Sequence, residues 1–308
     1  EPAAGLPTDP VEALAIELSH PRWLVARWVA RWGAEETRAL LESNNREGSL
    51  IVRPWGVVRE QLEAMLEAAG VHVSDVPLVD DSLQLASGTL LTSLGAFQQG
   101  RCFVQDPAAT LVTRYAAVPA GAKVADLCAA PGGKTVELAR TASYVTSADS
   151  SEARLQRLQE TIDRLELDHV TAVVCDARDA ASLGTFGAVL VDAPCAGTGT
   201  FRRHPDARWR LRVSDLAVMA AAQRTILRAA AQAVVPGGLL IYSTCSLEPE
   251  ENDAQIEAFL TEHPEWTLEP PPEGAVPAAV LDAGRLRVLP QRHGTDGSFA
   301  ARLRRGAA

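Results

Sequence analysis

Two cysteines follow apolar runs that read as buried strands. Val191-Asp192-Ala193-Pro194-Cys195 closes one run, and Ser243-Thr244-Cys245-Ser246 closes the other. In a parallel sheet both would stand at the carboxyl edge, where such folds bind their ligands. One cysteine there would be an ordinary small buried hydrophobe. Two on neighbouring strands, one of them beside an Asp-Ala-Pro, is a much more specific pattern, that of a pair of thiols placed to react rather than to pack. The other three, Cys102, Cys128 and Cys175, read as packing residues. Five cysteines with no C-x-x-C pair and no nearby histidine set argue against a disulfide framework and a zinc site, so no metal is expected.

A third feature is Asp126-Leu127-Cys128-Ala129-Ala130-Pro131-Gly132-Gly133-Lys134-Thr135, between an apolar run and a helical stretch. There Gly132 and Gly133 would let the backbone approach a ligand, and the helix would offer its free N–H groups. Gly133-Lys134-Thr135 invites an NTPase reading. A phosphate-binding loop needs a glycine where Cys128 stands, however, and the G-x-G-x-x-G pattern is also absent. Asp149 and Asp176, after the next two strands, agree with an adenosine ligand: Asp149 for the ribose hydroxyls, Asp176 within reach of the adenine. A lone aspartate at a strand end is usually a helix cap. Two in succession beside this loop favour the ligand.

These motifs need a frame. Apolar runs at Lys123–Cys128, Tyr144–Ala148, Val170–Val174, Ala188–Val191 and Leu239–Tyr242 read as strands. Helical stretches separate them: Lys134–Thr141, Glu152–Leu165, and Ser214–Val234, which stops at Pro236-Gly237-Gly238. The alternation predicts an α/β fold with a parallel sheet covered on both faces. Upstream, Asp9–Glu42 is helical in pattern, with Leu24, Trp28 and Trp32 on one face as core. Asn44–Arg53 starts as a turn and ends extended, Arg59–Ala69 is an amphipathic helix, and Val71–Val79 is extended. They make a small α/β unit, with a boundary in Gly95–Gly100. Glu269–Pro277 is a Pro-rich loop.

The segments DLCAAPGGKT, DAPCAGTGTFRRHPDARW, YSTCSLEPEEN and LPQRHGTDGSFAARL closely resemble motifs of the Nol1/Nop2/Sun family of RNA cytosine-5 methyltransferases. The resemblance runs from about Ser19 to the C-terminus. SHPRWLVARWVARWG and FVQDPAATLV are most similar to the bacterial branch that acts on small-subunit ribosomal RNA. That branch normally carries a further N-terminal helical domain resembling the antitermination factor NusB, expected to be missing here. The resemblance implies a Rossmann-like, doubly wound, mostly parallel seven-stranded methyltransferase sheet over residues 99–308. A small N-terminal α/β RNA-binding domain is expected over residues 1–98. It implies S-adenosylmethionine as cofactor and S-adenosylhomocysteine as product. Cys128, Ala129, Ala130, Pro131, Gly132, Gly133, Lys134, Asp149, Arg154, Asp176 and Asp192 would hold them.

It also implies roles in catalysis. Cytosine C5 is too weak a nucleophile until a thiolate adds at C6 and makes the C5–C6 bond an enamine. The family assigns that attack to Cys245, base contact at the N3 or N4 edge to Asp192, and release of the product to Cys195. Lys134 would stabilise charge on the base and favour the thiolate, since a free cysteine has a pKa of about 8.5. DNA cytosine-5 methyltransferases instead attack with the Pro-Cys cysteine; the Thr244-Cys245 motif favours Cys245. An idle RNA-binding homologue would have no chemical reason to retain Asp192, Cys195 and Cys245. The chain departs from the family pattern at Ser298, where a second aromatic is usual, at Cys102, and at Arg53-Pro54-Trp55.

The formal charge is −10, which argues mildly against nucleic acid, but its distribution matters more. Phe201–Arg212 carries five arginines around a tryptophan, and Arg202, Arg203, His204, Arg208 and Trp209 are expected to contact RNA phosphates and bases. Arg285, Arg287, Arg292, Arg302, Arg304 and Arg305 form a second basic concentration. The target base must be unpaired or flipped out. No apolar run approaches the roughly 18–20 residues that cross a membrane, and EPAAGLPTDP is not a secretory signal. A cytoplasmic monomer is expected.

Overall fold

The computed structural model describes residue 5 and residues 7–307, so part of the EPAAGLPTDP segment lies outside the described residues. Helix α1 (Pro10–Glu17) starts on Asp9, whose carboxylate accepts the Val11 N–H at 3.1 Å. Helix α2 (Arg22–Asn44) follows and is interrupted at Gly33, φ 83°. The helical pattern expected over Asp9–Glu42 is therefore broken at Leu18–Pro21, because proline has no N–H to continue a helix. Trp28 and Leu24 are core as expected, packed with Leu40, Phe201, Leu247 and Leu289. These helices thus buttress segments that follow both motif cysteines.

The small unit consists of β1 (Ile51–Pro54), α3 (Arg59–Ala68), β2 (Val73–Asp75), β3 (Leu83–Leu85) and β4 (Cys102–Val104). Its antiparallel sheet has the order β2-β3-β1-β4. The last strand lies beyond the boundary expected between 98 and 99.

The large unit begins with α4 (Pro107–Ala116), then β5 (Lys123–Leu127), α5 (Gly133–Ala139), β6 (Tyr144–Asp149), α6 (Glu152–Leu165) and β7 (Val170–Val174). It continues through β8 (Phe186–Asp192), α7 (Val213–Gln232), β9 (Val234–Thr244) and α8 (Asp253–Glu262). The last strands are β10 (Trp266–Leu268), β11 (Leu281–Asp282), β12 (Arg285–Val288) and β13 (Ser298–Arg305). The order is β11-β12-β13-β9-β8-β5-β6-β7, with β10 on β13. From β9 to β7 the pairing is parallel, and β13 joins antiparallel. The expected seven-stranded sheet is the run from β12 to β7; two short strands, β10 and β11, extend it to nine.

Alternate residues of each strand enter opposite cores. Val124, Leu190 and Ile241 face one side, and Ala125, Val189 and Leu240 the other. Each fully buried Val or Leu side chain stabilises the fold by about 1.5–3 kcal/mol. The expected helix Ser214–Val234 ends at Gln232 instead, because Val234 already pairs with Phe186 in the sheet.

Candidate active site

Strands β6 and β7 lie on one side of β5, and β8 and β9 on the other. The chain reverses direction across the sheet at the β5–β8 pair, and a crevice opens beyond the carboxyl ends there. The cleft measures about 650 Å³, a size common for small-molecule sites. Among the expected cofactor residues, Cys128, Ala130, Asp149, Arg154, Asp176 and Asp192 line it. Ala129, Pro131, Gly132 and Gly133 belong to the loop but not to its lining. Sequence reasoning missed the opposite wall, Ala221, Ala222, Thr225 and Ile226 of α7, whose small residues carry no motif signal.

Packing also requires the two loop glycines. Gly132 holds φ 108°, and a Cβ there would stand 2.4 Å from Leu158 Cδ1. A Cβ on Gly133 would stand 3.2 Å from the Gln105 amide nitrogen.

Asp149 is buried, and its carboxylate accepts from the Ser151 N–H at 2.9 Å, Arg154 at 2.8 Å and the Ala130 N–H at 3.3 Å. It therefore fixes the cofactor loop against the end of β6. Hydrogen bonds from Arg178 hold the Asp176 carboxyl down at about 2. Two carboxyl groups in a cleft with apolar Pro194 and Ile226 suit a ligand with hydroxyl or amine donors and a flat ring. Asp126, fully buried below the loop, has one oxygen bonded to Thr135 at 2.7 Å and the other without a partner among the described residues. Burial pushes its pKa up to about 7.

At the inner end of the cleft the two motif cysteines face each other. Cys195 Sγ and Cys245 Sγ are 3.3 Å apart as free thiols. The register Asp192↔Ser243 brings the two strand ends level. Asp192 Oδ2 accepts from Lys134 Nζ at 2.7 Å, and Oδ1 from Ser243 Oγ at 2.8 Å. Burial works against the Lys134 charge, but Asp192 and then Cys245 hold its pKa above the usual value. The hydrogen bond with Cys245, followed by burial, raises the Cys195 thiol well above the ordinary range, so Cys195 rests protonated. Burial drives Cys128 to about 12 and Cys102 to about 11, so both are inert thiols. Cys175 borders the cleft region and donates to the Asp176 carbonyl at 3.3 Å.

Residues 117–304 match the family described as 16S rRNA methyltransferase RsmB/F, and residues 20–92 match the ferredoxin-like domain of RsmF/B-like methyltransferases. The chain belongs to the RsmB/F family. It is 36% identical over 308 residues to a probable ribosomal RNA small subunit methyltransferase B of Bacillus subtilis, covering 96% of this chain and 69% of that protein. It is 38% identical to the ribosomal RNA small subunit methyltransferase B of Vibrio cholerae, covering 97% and 68%. The crystal structure of PH0851 superposes with a TM-score of 0.88 at 34% identity, over 98% of this chain and 70% of that one.

The departures from the family pattern are accommodated by packing. Cys102 is buried in the small unit's core. Ser298 pairs with Val288. Trp55 packs against the main core and donates its Nε1–H to the Leu165 carbonyl at 3.0 Å. Arg53 before it is not itself a departure; 2% exposed, it bonds both Glu137 oxygens at 2.8 and 3.1 Å and Asp81 at 2.6 and 2.9 Å, which joins the small sheet to α5.

The arginine segment requires correction. Arg202 binds Asp106 at 3.0 Å and Asp296 at 2.6 Å, and Arg203 binds the same two carboxylates at 2.7 and 2.6 Å. Arg208, 3% exposed, bonds Asn45 Oδ1 at 2.7 Å and the Asn44 carbonyl at 3.1 Å. These three guanidinium groups hold the fold: Arg202 and Arg203 bond protein acceptors through all three nitrogens, and Arg208 through its two terminal ones, its Nε having no partner among the described residues. His204 and Trp209 stay exposed as a contacting surface requires, and so does Arg210. His204 and Arg210 line a second cavity, about 530 Å³, which meets the first at Cys195. The second basic concentration is largely neutralised. Asp253 holds Arg285 and Arg287, Glu269 holds Arg302 and Arg304, and Glu36 holds Arg292.

Among the described residues, no cluster of three or more His, Cys, Asp or Glu side chains is arranged to hold a metal. No helix there is long and apolar enough to cross a membrane.

Proposed function

We propose that this chain transfers a methyl group from S-adenosylmethionine to carbon 5 of a cytosine in small-subunit (16S) ribosomal RNA, through a covalent Cys–C6 adduct. The observation that carries the reading is the pair of facing thiols beside a Lys134–Asp192 ion pair, at the end of a cofactor-sized cleft. The relatives' names supply the substrate class.

Asp149 and Asp176 would take the cofactor's ribose and adenine ends, with Cys128, Ala130, Arg154 and Asp192 around them. When bound, the cofactor supplies an electrophilic methyl group. Cys245 attacks C6 as a thiolate, and the electron pair of the C5–C6 bond moves toward the ring carbonyl and N3. Asp192, steadied by Lys134 and Ser243, holds the N3 or N4 edge so that this charge has a proton beside it. C5 is then nucleophilic and takes the methyl group. Cys195 first gives its thiol proton to solvent; as a thiolate it takes the C5 proton, the C5–C6 double bond re-forms, and the Cys245 thiolate leaves. His204 and Arg210, which line the second cavity, and the exposed Trp209 are the remaining candidates to guide the RNA strand. The small N-terminal unit would add RNA contacts; with β4 in its sheet, its division from the catalytic unit falls after Val104.

The test is methyl transfer from labelled cofactor to unmodified small-subunit ribosomal RNA and to DNA of the same sequence, followed by nucleoside digestion. Label in 5-methylcytidine from RNA is expected. Label on a ring nitrogen or a ribose, or only in DNA, overturns the proposal.

A further inference from the structure

Beyond the two cysteines, the start of the next segment carries two consecutive buried polar side chains, Glu251 and Asn252. Glu251 Oε1 accepts the Ala196 N–H at 2.9 Å, directly after Cys195. The same oxygen accepts Gln223 Nε2 at 2.9 Å, and that amide also donates to the Pro194 carbonyl at 2.9 Å, directly before Cys195. Glu251 therefore brackets Cys195 on both flanks. Asn252 does the same for the other thiol. Its Oδ1 accepts Thr244 Oγ1 at 2.5 Å, and its Nδ2 donates to the Ser246 carbonyl at 2.8 Å. Tyr242 OH anchors the Glu251 carbonyl at 2.7 Å, and Ser246 Oγ donates to the second Glu251 oxygen.

The orientation of Gln223 shows what this arrangement favours. Its amide is fully buried, and its oxygen has no partner among the described residues. Both contacts come from the nitrogen, one to the Pro194 carbonyl and one to Glu251 Oε1, which also accepts the Ala196 N–H. A buried acceptor left unpaired is unfavourable, so the amide is oriented by the turn and by Glu251.

We propose that Gln223, Glu251 and Asn252 are positioning residues: Gln223, together with Glu251 Oε1, sets Cys195 and Asn252 sets Cys245, while Glu251 Oε2 on Ser246 links the two turns. The inference rests on the proposed two-cysteine reaction. In that reaction the cysteines act at different steps, so Gln223 and Asn252 have separable effects. Misplacing Cys195 slows loss of the C5 proton and leaves the adduct standing. Misplacing Cys245 slows formation of the adduct.

The experiment uses the full chain, unmodified small-subunit ribosomal RNA and S-adenosylmethionine, with adducts read on a denaturing gel and turnover by methyl incorporation. Gln223→Met removes the Pro194 contact and one donor to Glu251 Oε1 without touching the Cys245 turn, and should lower turnover roughly ten- to hundredfold, the scale of a displaced reacting group, while adduct accumulates. In the Cys195→Ala background, Asn252→Ala should slow adduct formation roughly tenfold or more, and Gln223→Met should leave it within about threefold. Adduct formation slowed equally by both substitutions, or turnover unchanged by either, overturns the division of labour. Adduct from Cys245→Ala and none from Cys195→Ala reverses the two thiols, and methyl transfer by the native protein with no adduct from either variant overturns the two-cysteine reading; each result overturns the division too.

Discussion

His20 gives the fold a pH dependence that can be worked from its contacts. The ring is 2% exposed and lies between the first two helices and the segment that follows Cys195. Nδ1 is 2.6 Å from the Leu18 carbonyl, while Nε2 is 3.0 Å from Arg208 Nη1 and 3.3 Å from Asn44 Nδ2. One form satisfies all three: a neutral ring with its proton on Nδ1 and Nε2 accepting. A second proton would point an N–H at a guanidinium. Burial first, and the Arg208 charge second, lower the pKa from 6.5 to about 4. The folded value is depressed, so the contribution is complete above pH 6.5 and is lost as pH falls through about 4. At about 1.4 kcal/mol for each pKa unit, it amounts to roughly 3 kcal/mol at most. Urea unfolding of the native protein and His20→Gln, followed from about pH 7.5 to about pH 4, isolates it from the carboxylates. The native protein should lose roughly 3 kcal/mol more than the variant over that interval. Parallel pH curves for the two proteins would refute the neutral, buried ring.

Four further outcomes follow from the site and the segment beside it. Lys134→Met should lower kcat roughly 10²–10³-fold with little change in cofactor affinity, because Lys134 serves Asp192 and the charge on the base; steady-state kinetics and cofactor titration check the split. Gly132→Ala should cost about 2 kcal/mol or more in urea unfolding, since its Cβ meets Leu158 and its φ of 108° disfavours a side chain. Arg210→Ala should reduce the slope of log RNA affinity against log salt by about one. Arg208→Met should leave that slope alone and cost roughly 2–3 kcal/mol of stability, by orphaning buried acceptors.

The parallel half of the sheet was legible because strands buried on both faces are continuous apolar runs. Val170–Val174 and Glu152–Leu165 form with the bounds their patterns predict. The antiparallel arm was not legible. Strand β13 reads SFAARLRR, and nothing local tells that Arg302 is buried against Glu269. The same limit explains the arginine segment. Charge density alone suggests phosphate contacts, but the acidic partners of Arg202 and Arg203 lie 93–97 residues away in the chain. The two cysteines could be placed at one sheet edge from their strand ends. Their 3.3 Å approach could not, because it depends on Glu251, Gln223 and Asn252, which come from two other segments. The loop glycines were recognised, but their neighbour Leu158 on α6 was not.

The most direct test of the central claim is a denaturing gel of Cys195→Ala after incubation with unmodified small-subunit ribosomal RNA and S-adenosylmethionine. The account predicts a shifted band, an adduct through Cys245 that cannot resolve, and its disappearance in Cys195→Ala/Cys245→Ala. A stable adduct from Cys245→Ala, with none from Cys195→Ala, would contradict the assignment of the two thiols. Methyl transfer by the native protein with no adduct from either variant would contradict the two-cysteine mechanism as a whole.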